Sequence, residues 1–171
     1  NFFDFLRFVF ATMVIYFHSF PLFFGLGKVS DPIATITQGQ AVMGPIAVSS
    51  FLVISGFLVT QSLVKSKNFL SYFIKRLLRL MPALIAATAL AAFIVGPIIT
   101  SLSMGEYFSG GLNNPYRFAF DAITLNLFEY QRGIKDLFLC NPYPATVNGS
   151  MWTLKHEFLL YLMLPLVFYF R

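Results

Sequence analysis

Charge is scarce in this chain. Of its 171 residues, 11% are Asp, Glu, Lys or Arg, while 57% are apolar. Soluble domains average about 25% charged residues, so this balance, with a mean hydropathy of +0.73, excludes an ordinary water-soluble domain and makes a lipid bilayer the expected solvent. Cysteine is nearly absent as well. The single Cys140 rules out an intramolecular disulfide and any multi-cysteine metal site, and no metal site is expected. The net charge of +5 does not mark a nucleic-acid protein, because no basic stretch combines the length and aromatic interleaving that such a surface needs. Neither an internal repeat nor a low-complexity stretch is visible. The start at Asn1 without an initiator Met, and the end at Arg171 directly after an apolar run, read as those of a fragment of a longer protein.

What the chain has is apolar and aromatic length. Its 22 Phe residues exceed what a soluble core of this size can bury. A helix needs about 20 apolar residues to cross roughly 30 Å of hydrocarbon, and four segments meet that length, at 5–26, 41–64, 81–103 and 151–170. The expected fold is therefore an all-α integral membrane bundle. Gly25 and Gly27 close the first span, Asp31 and Pro32 mark the first loop, Pro82 is placed to open the third span, and Pro97 is placed to kink it. The link between spans two and three holds Lys65, Lys67, Lys75, Arg76 and Arg79 without an acid. The positive-inside rule puts that link, 65–80, on the cytoplasmic side. The 104–150 loop then lies outside, and its apolar middle from about Arg117 to Tyr130 suggests an interfacial or short re-entrant element.

The few ionisable residues inside the spans carry the chemistry to be sought. Arg7 and His18 are eleven residues apart, three helical turns, so they share one face about 16 Å apart along the axis. That spacing puts Arg7 near the cytoplasmic boundary and His18 in the outer half, where an imidazole suits general-base work. Snorkelling for Arg7 and a satisfied structural role for His18 are the plainer alternatives. Arg76 and Arg79, at i and i+3 on an amphipathic helix, can address one phosphate-bearing ligand, or simply meet lipid headgroups. Glu157, a turn into the last span, needs a cation, a proton or a histidine partner. The sidedness assigns it to the outer half with His18. In the second span, the small residues of the Ser49–Leu58 stretch favour close helix packing.

Together these pieces resemble the acyltransferase 3 family, membrane enzymes that acylate O-antigen, exopolysaccharide and Nod-factor glycans. The resemblance rests on Arg7 and His18 at an R-x10-H spacing and on Ser55-Gly56-Phe57-Leu58. It rests also on Arg76-Leu77-Leu78-Arg79 before Met81-Pro82, and on Asn148-Gly149-Ser150-Met151-Trp152-Thr153-Leu154 followed by Glu157. It implies a core of about ten transmembrane helices, of which 1–171 is the N-terminal part. An O-acyltransferase activity is implied, with acyl-CoA, acetyl-CoA by default, as co-substrate from the cytoplasm, and a carbohydrate or glycolipid hydroxyl as acceptor. A multi-pass location in a bacterial inner membrane goes with it. His18 is then the catalytic histidine, Arg7 its motif partner, Glu157 a further functional carboxylate, and Arg76 and Arg79 the CoA-facing pair. The competing expectation is a proton-coupled transporter in which His18 and Glu157 form a relay.

Overall fold

The computed structural model describes residues 2–66, 68–125 and 133–169. The expected charges Lys67, Glu129, Arg132 and Arg171 lie outside the described residues. Within them the chain is helical without strands: α1 (Phe2–Phe24), α2 (Pro32–Ile36), α3 (Met43–Val64), α4 (Phe69–Ala89), a π-helical turn (Leu90–Val95), α5 (Gly96–Ile99), α6 (Met104–Tyr107), α7 (Pro115–Ile123), a 3-10 turn (Gly149–Met151) and α8 (Trp152–Tyr169). Among the described residues, three helical runs are long and apolar enough to cross a membrane: Phe2–Phe24, Met43–Val64 and Phe69–Ile99. Two compact units result, one of Asn1–Val64 with Asn141–Tyr143, the other of Lys65–Cys140 with Pro144–Arg171.

In the first unit α1 and α3 pack antiparallel. Phe3 meets Phe57 with ring centroids 5.4 Å apart, Arg7 meets Ser55, and Phe17 lies over Gly44, so residue numbers rise along one helix as they fall along the other. No residue of α1 is fully buried by protein. Phe2, Phe8, Ile15 and Phe23 point outward, a surface that water would penalise and hydrocarbon accepts. Gly25 ends α1 in the left-handed region at φ +93°, its N–H donating to Pro21 O at 3.0 Å, as a C-terminal glycine cap does. Asp31 is the N-cap of α2. Its buried Oδ1 accepts from Ile33 N at 3.0 Å, Ala34 N at 3.1 Å and Met43 N at 3.3 Å, tying the short loop helix to the start of α3.

The second unit corrects the reading of the third span. The basic link does not stand apart from it. Asn68 caps α4 by accepting from Ser71 N at 2.8 Å, and the helix runs unbroken through Lys75, Arg76, Arg79 and Pro82 into the membrane. Pro82 is therefore interior, not at the helix start. It brings no N–H to the carbonyl four residues back. The run Phe69–Ile99 is 31 residues, about 46 Å at 1.5 Å per residue. That exceeds the hydrocarbon thickness by about 16 Å, enough for its basic first turns to reach past the hydrocarbon.

Pro97 acts through the turn before it. Gly96 N–H donates to Ala91 O, the i to i−5 pattern of a π turn. The next donor in that pattern, at position 97, is missing because the residue is proline, which orphans Ala92 O. Tyr107, fully buried on α6, donates its hydroxyl to Ala92 O at 2.8 Å. The described parts of the 104–150 segment thus contribute packed structure. Phe118 and Ala122 of α7, with Leu125, Ile134, Leu137 and Met151, close a core on Leu84, Ala92 and Tyr107. A helix does form in the middle of this segment, at Pro115–Ile123. Tyr116 and Phe120 are on its exposed side, and Arg117 is paired with the buried Asp121 at 3.1 Å.

Helix α8 forms where the fourth span is expected. Its 18 described residues include Lys155, His156 and Glu157, and these keep it out of the set of runs apolar enough to cross.

Candidate functional site

In the first unit, Arg7 is held on the α1–α3 seam. Its Nη2 donates to Ser55 Oγ at 3.1 Å, and its guanidinium carbon stands 5.2 Å from the centre of the Phe51 ring, a cation–π distance. Ser55 is 1% exposed, so this bond forms away from water, where a charge-assisted bond is strong and costly to lose. This gives the Ser55-Gly56 pair a role that the sequence left open: the serine is Arg7's partner. Gly56 is not the close-packing residue, since a Cβ there would meet nothing within 4 Å. Gly44 is, because a Cβ there would come within 2.5 Å of Phe17 Cδ1. His18 lies next along α1, half-buried, its ring edge-on to Phe17 at 5.5 Å. The seam that fixes Phe17 over Gly44 therefore bears directly on where the imidazole stands. Beyond it, a cavity of about 210 Å³ opens between the end of α1 and the loop, lined by Phe17, Phe20, Pro21, Asp31 and Val42 among others.

In the second unit, the helix that carries Arg76 and Arg79 packs against the helix that carries Glu157. Tyr72, Arg76 and Arg79 fall on one face of α4 at i, i+4 and i+7. Tyr72 is fully buried and donates to the backbone oxygen of Tyr161 at 3.1 Å. Phe73 packs on Phe158 with centroids 5.9 Å apart, and Leu80, Met81, Leu154 and Phe158 flank the same core. These contacts make α4 and α8 antiparallel and put Glu157 level with Arg76. Tyr161, one turn after Glu157 and 3% exposed, donates its hydroxyl to Glu157 Oε1. The charges of Arg76 and Arg79 act on that same hydroxyl.

The sequence reading divides Glu157 from the arginine pair by membrane depth, and the structure removes that division. Helix α8 starts beside the middle of the long third helix, not at its far end, so its first turn already reaches the arginine level. His156 points elsewhere, its Nδ1 3.0 Å from Trp152 O and its ring edge-on to the Trp152 indole. Sequence reasoning missed Tyr72 and Tyr161. The only available signal was their spacing, Tyr72 one turn before Arg76 and Tyr161 one turn after Glu157.

The model of the family described as "Acyltransferase domain" matches residues 1–171. Among curated proteins, the chain is 34% identical over 163 residues to an "O-acetyl transferase" of Shigella phage Sf6, covering 95% of this chain and 44% of that protein. It is 32% identical over 178 residues to "Nodulation protein 10" of Rhizobium leguminosarum bv. viciae, covering 98% of this chain and 44% of that protein. The chain thus spans less than half the length of these relatives. No solved structure matches it. With a family model covering every residue, and with the arginine–histidine, serine–glycine and double-arginine motifs all on membrane-type helices, the chain belongs to the acyltransferase 3 family.

Proposed function

We propose that the protein to which this chain belongs is a membrane-bound O-acyltransferase that moves an acyl group, acetyl by preference, from acyl-CoA to a hydroxyl of a cell-envelope or secreted glycan. The observation that carries this reading is the family match over the whole chain, with relatives named O-acetyl transferase and Nodulation protein 10. The chemistry of the described residues supports it. Attack of a hydroxyl on a thioester needs a base for the hydroxyl proton and positive charge for the developing oxyanion. The half-buried imidazole of His18 is suited to take the proton. Arg7, aimed by Ser55 and Phe51, stands about 16 Å away along the same helix, so it does not meet that oxyanion and supplies fixed positive charge toward the donor side.

Arg76 and Arg79 take the phosphates of CoA as guanidinium groups do. In this reading the 65–80 segment faces the cytoplasm, where acyl-CoA is found, and the protein is a multi-pass component of a bacterial inner membrane. The test uses membranes carrying the full-length protein and acetyl-CoA labelled in the acetyl group. Wild type is expected to label a glycan, and His18→Ala to abolish the labelling at equal protein abundance. Normal acylation by His18→Ala would overturn the assignment of the base. A wild-type protein that labels nothing while moving protons would favour a transporter instead.

A further inference from the structure

Resting on that reading, we propose that Glu157 belongs to the donor-binding site with Arg76 and Arg79, and that Tyr161 is the positioning residue that holds it there. Three observations converge. The antiparallel contacts Tyr72 to Tyr161 and Phe73 to Phe158 set Glu157 level with Arg76. Tyr161, a buried residue, donates its hydroxyl to Glu157 Oε1. Tyr72, on the arginine face of α4, anchors the backbone of Tyr161 itself, so a hydrogen-bonded path runs from the arginine helix through Tyr161 to the carboxylate.

The chemistry explains why such an arrangement serves a donor site. Two guanidinium groups one turn apart repel each other, and near hydrocarbon that repulsion is weakly screened. A carboxylate at their level offsets it and fixes the direction of the fork, as a supporting carboxylate orients the group that meets a ligand. Tyr161 spends its one hydroxyl proton on Glu157, which removes rotamer freedom from the carboxylate and leaves its other oxygen for the arginine side. The anionic phosphates of the donor then meet an oriented pair instead of two mobile side chains, and less ordering cost falls on binding. Glu157 is in this account no part of the acceptor chemistry.

The test measures two quantities on the full-length protein in detergent: equilibrium binding of labelled acetyl-CoA, made in a His18→Ala background so that turnover does not interfere, and steady-state transfer in the wild-type background. Tyr161→Phe, which keeps the ring and deletes the hydroxyl, is expected to weaken acetyl-CoA binding about tenfold, the size of a hydrogen bond to a charged group. It should raise the donor KM by a similar factor with the acceptor KM unchanged. Glu157→Gln, which still accepts from Tyr161, is expected to weaken donor binding too, and less than additively with Arg76→Lys, because both act on one site. Folding is monitored by abundance and thermal midpoint, with Tyr161→Phe and Glu157→Gln serving as alternatives should one fail to accumulate. Donor binding unchanged in both variants, or a rise confined to the acceptor KM, overturns the proposal while leaving the acyltransferase reading intact. Absence of acetyl-CoA binding in the unsubstituted protein overturns both.

Discussion

Arg7 on α1 and Ser55 on α3 are joined by one hydrogen bond, Nη2 to Oγ at 3.1 Å, across 48 positions of sequence. The serine is buried and the arginine is charged, so the bond lies in the class worth about 1.5–3 kcal/mol. Ser55→Ala is expected to lower the thermal midpoint of the detergent-solubilised protein and to cut acyl transfer at least tenfold, because the guanidinium loses its aim. Ser55→Thr, which keeps the hydroxyl, should retain most of both. Equal activity of the alanine and threonine variants would show that Arg7 needs no such support.

The neighbouring contact sets a second expectation. A methyl group at Gly44 would come within 2.5 Å of Phe17 Cδ1, closer than real side chains approach. The Phe17 ring must then turn or the helices must part, at about 1–3 kcal/mol for an overpacked seam. Because His18 follows Phe17 in the chain and packs against its ring, Gly44→Ala is expected to reduce acyl transfer as well as stability. Gly56→Ala, where a Cβ meets nothing within 4 Å, should change stability little. The pair of variants, assayed for abundance and transfer, separates the packing glycine from the motif glycine.

Much of this arrangement is legible in the sequence, and the part that is not has a physical cause. Helices α1 and α3 follow from apolar length alone, and their ends fall within a few residues of the expected spans. The Arg7 to His18 spacing is enough by itself to fix a shared helical face. The course of the third helix is less legible, because Pro82 resembles a start signal while Asn68, a side-chain cap fourteen residues earlier, sets the real one. Once the helix begins at Phe69, Arg76 and Arg79 become its opening turns. The level of Glu157 was illegible for a related reason. Topology gives the direction of α8, whereas its axial offset against α4 depends on contacts such as Tyr72 to Tyr161 that no periodicity encodes. Ser55 shows the same limit: a serine in an apolar run announces a partner without naming it.

Acid conditions are expected to loosen one described corner. Asp136 Oδ2 accepts from Ser101 Oγ at 2.7 Å, Ser101 N at 2.8 Å and Thr100 Oγ1 at 3.1 Å. These bonds, led by the Ser101 hydroxyl, hold its carboxyl below the ordinary carboxylate range. Glu106 is lowered likewise, chiefly by the Ser103 hydroxyl in its capping box. A depressed folded-state value means the contribution is fully present above the ordinary value of about 4 and is lost as pH falls through the lowered one. Protection of the Ser101 and Ser103 amides, which donate to Asp136 and Glu106, measured against the intrinsic exchange rate, should therefore be constant from pH 7 down to about 4 and fall only below that. Asp136→Ala, which removes the acceptor, should bring fast exchange at Ser101 already at neutral pH. An onset of loosening above about pH 5 would contradict the direction of both shifts.

The π turn offers the sharpest test of packing in the second unit. Tyr107 supplies the hydrogen bond that Pro97 denies to Ala92 O, and Gly96 makes room for its hydroxyl, since a Cβ at 96 would collide with Tyr107 Oη and lie 2.8 Å from Cζ. Tyr107→Phe leaves a buried carbonyl without its donor, a loss of about 1–3 kcal/mol. Gly96→Ala forces the tyrosine away and so loses that same bond while adding strain. The two substitutions damage one interaction and cannot add. In Tyr107→Phe the atom that an alanine at 96 strikes most severely is already gone, so Gly96→Ala should cost clearly less in that background than in the wild type. Thermal midpoints of the two single variants and the double variant form the cycle. A double variant as unstable as the sum of the singles would mean that Gly96 and Tyr107 act independently, and that the glycine is needed for the π turn itself.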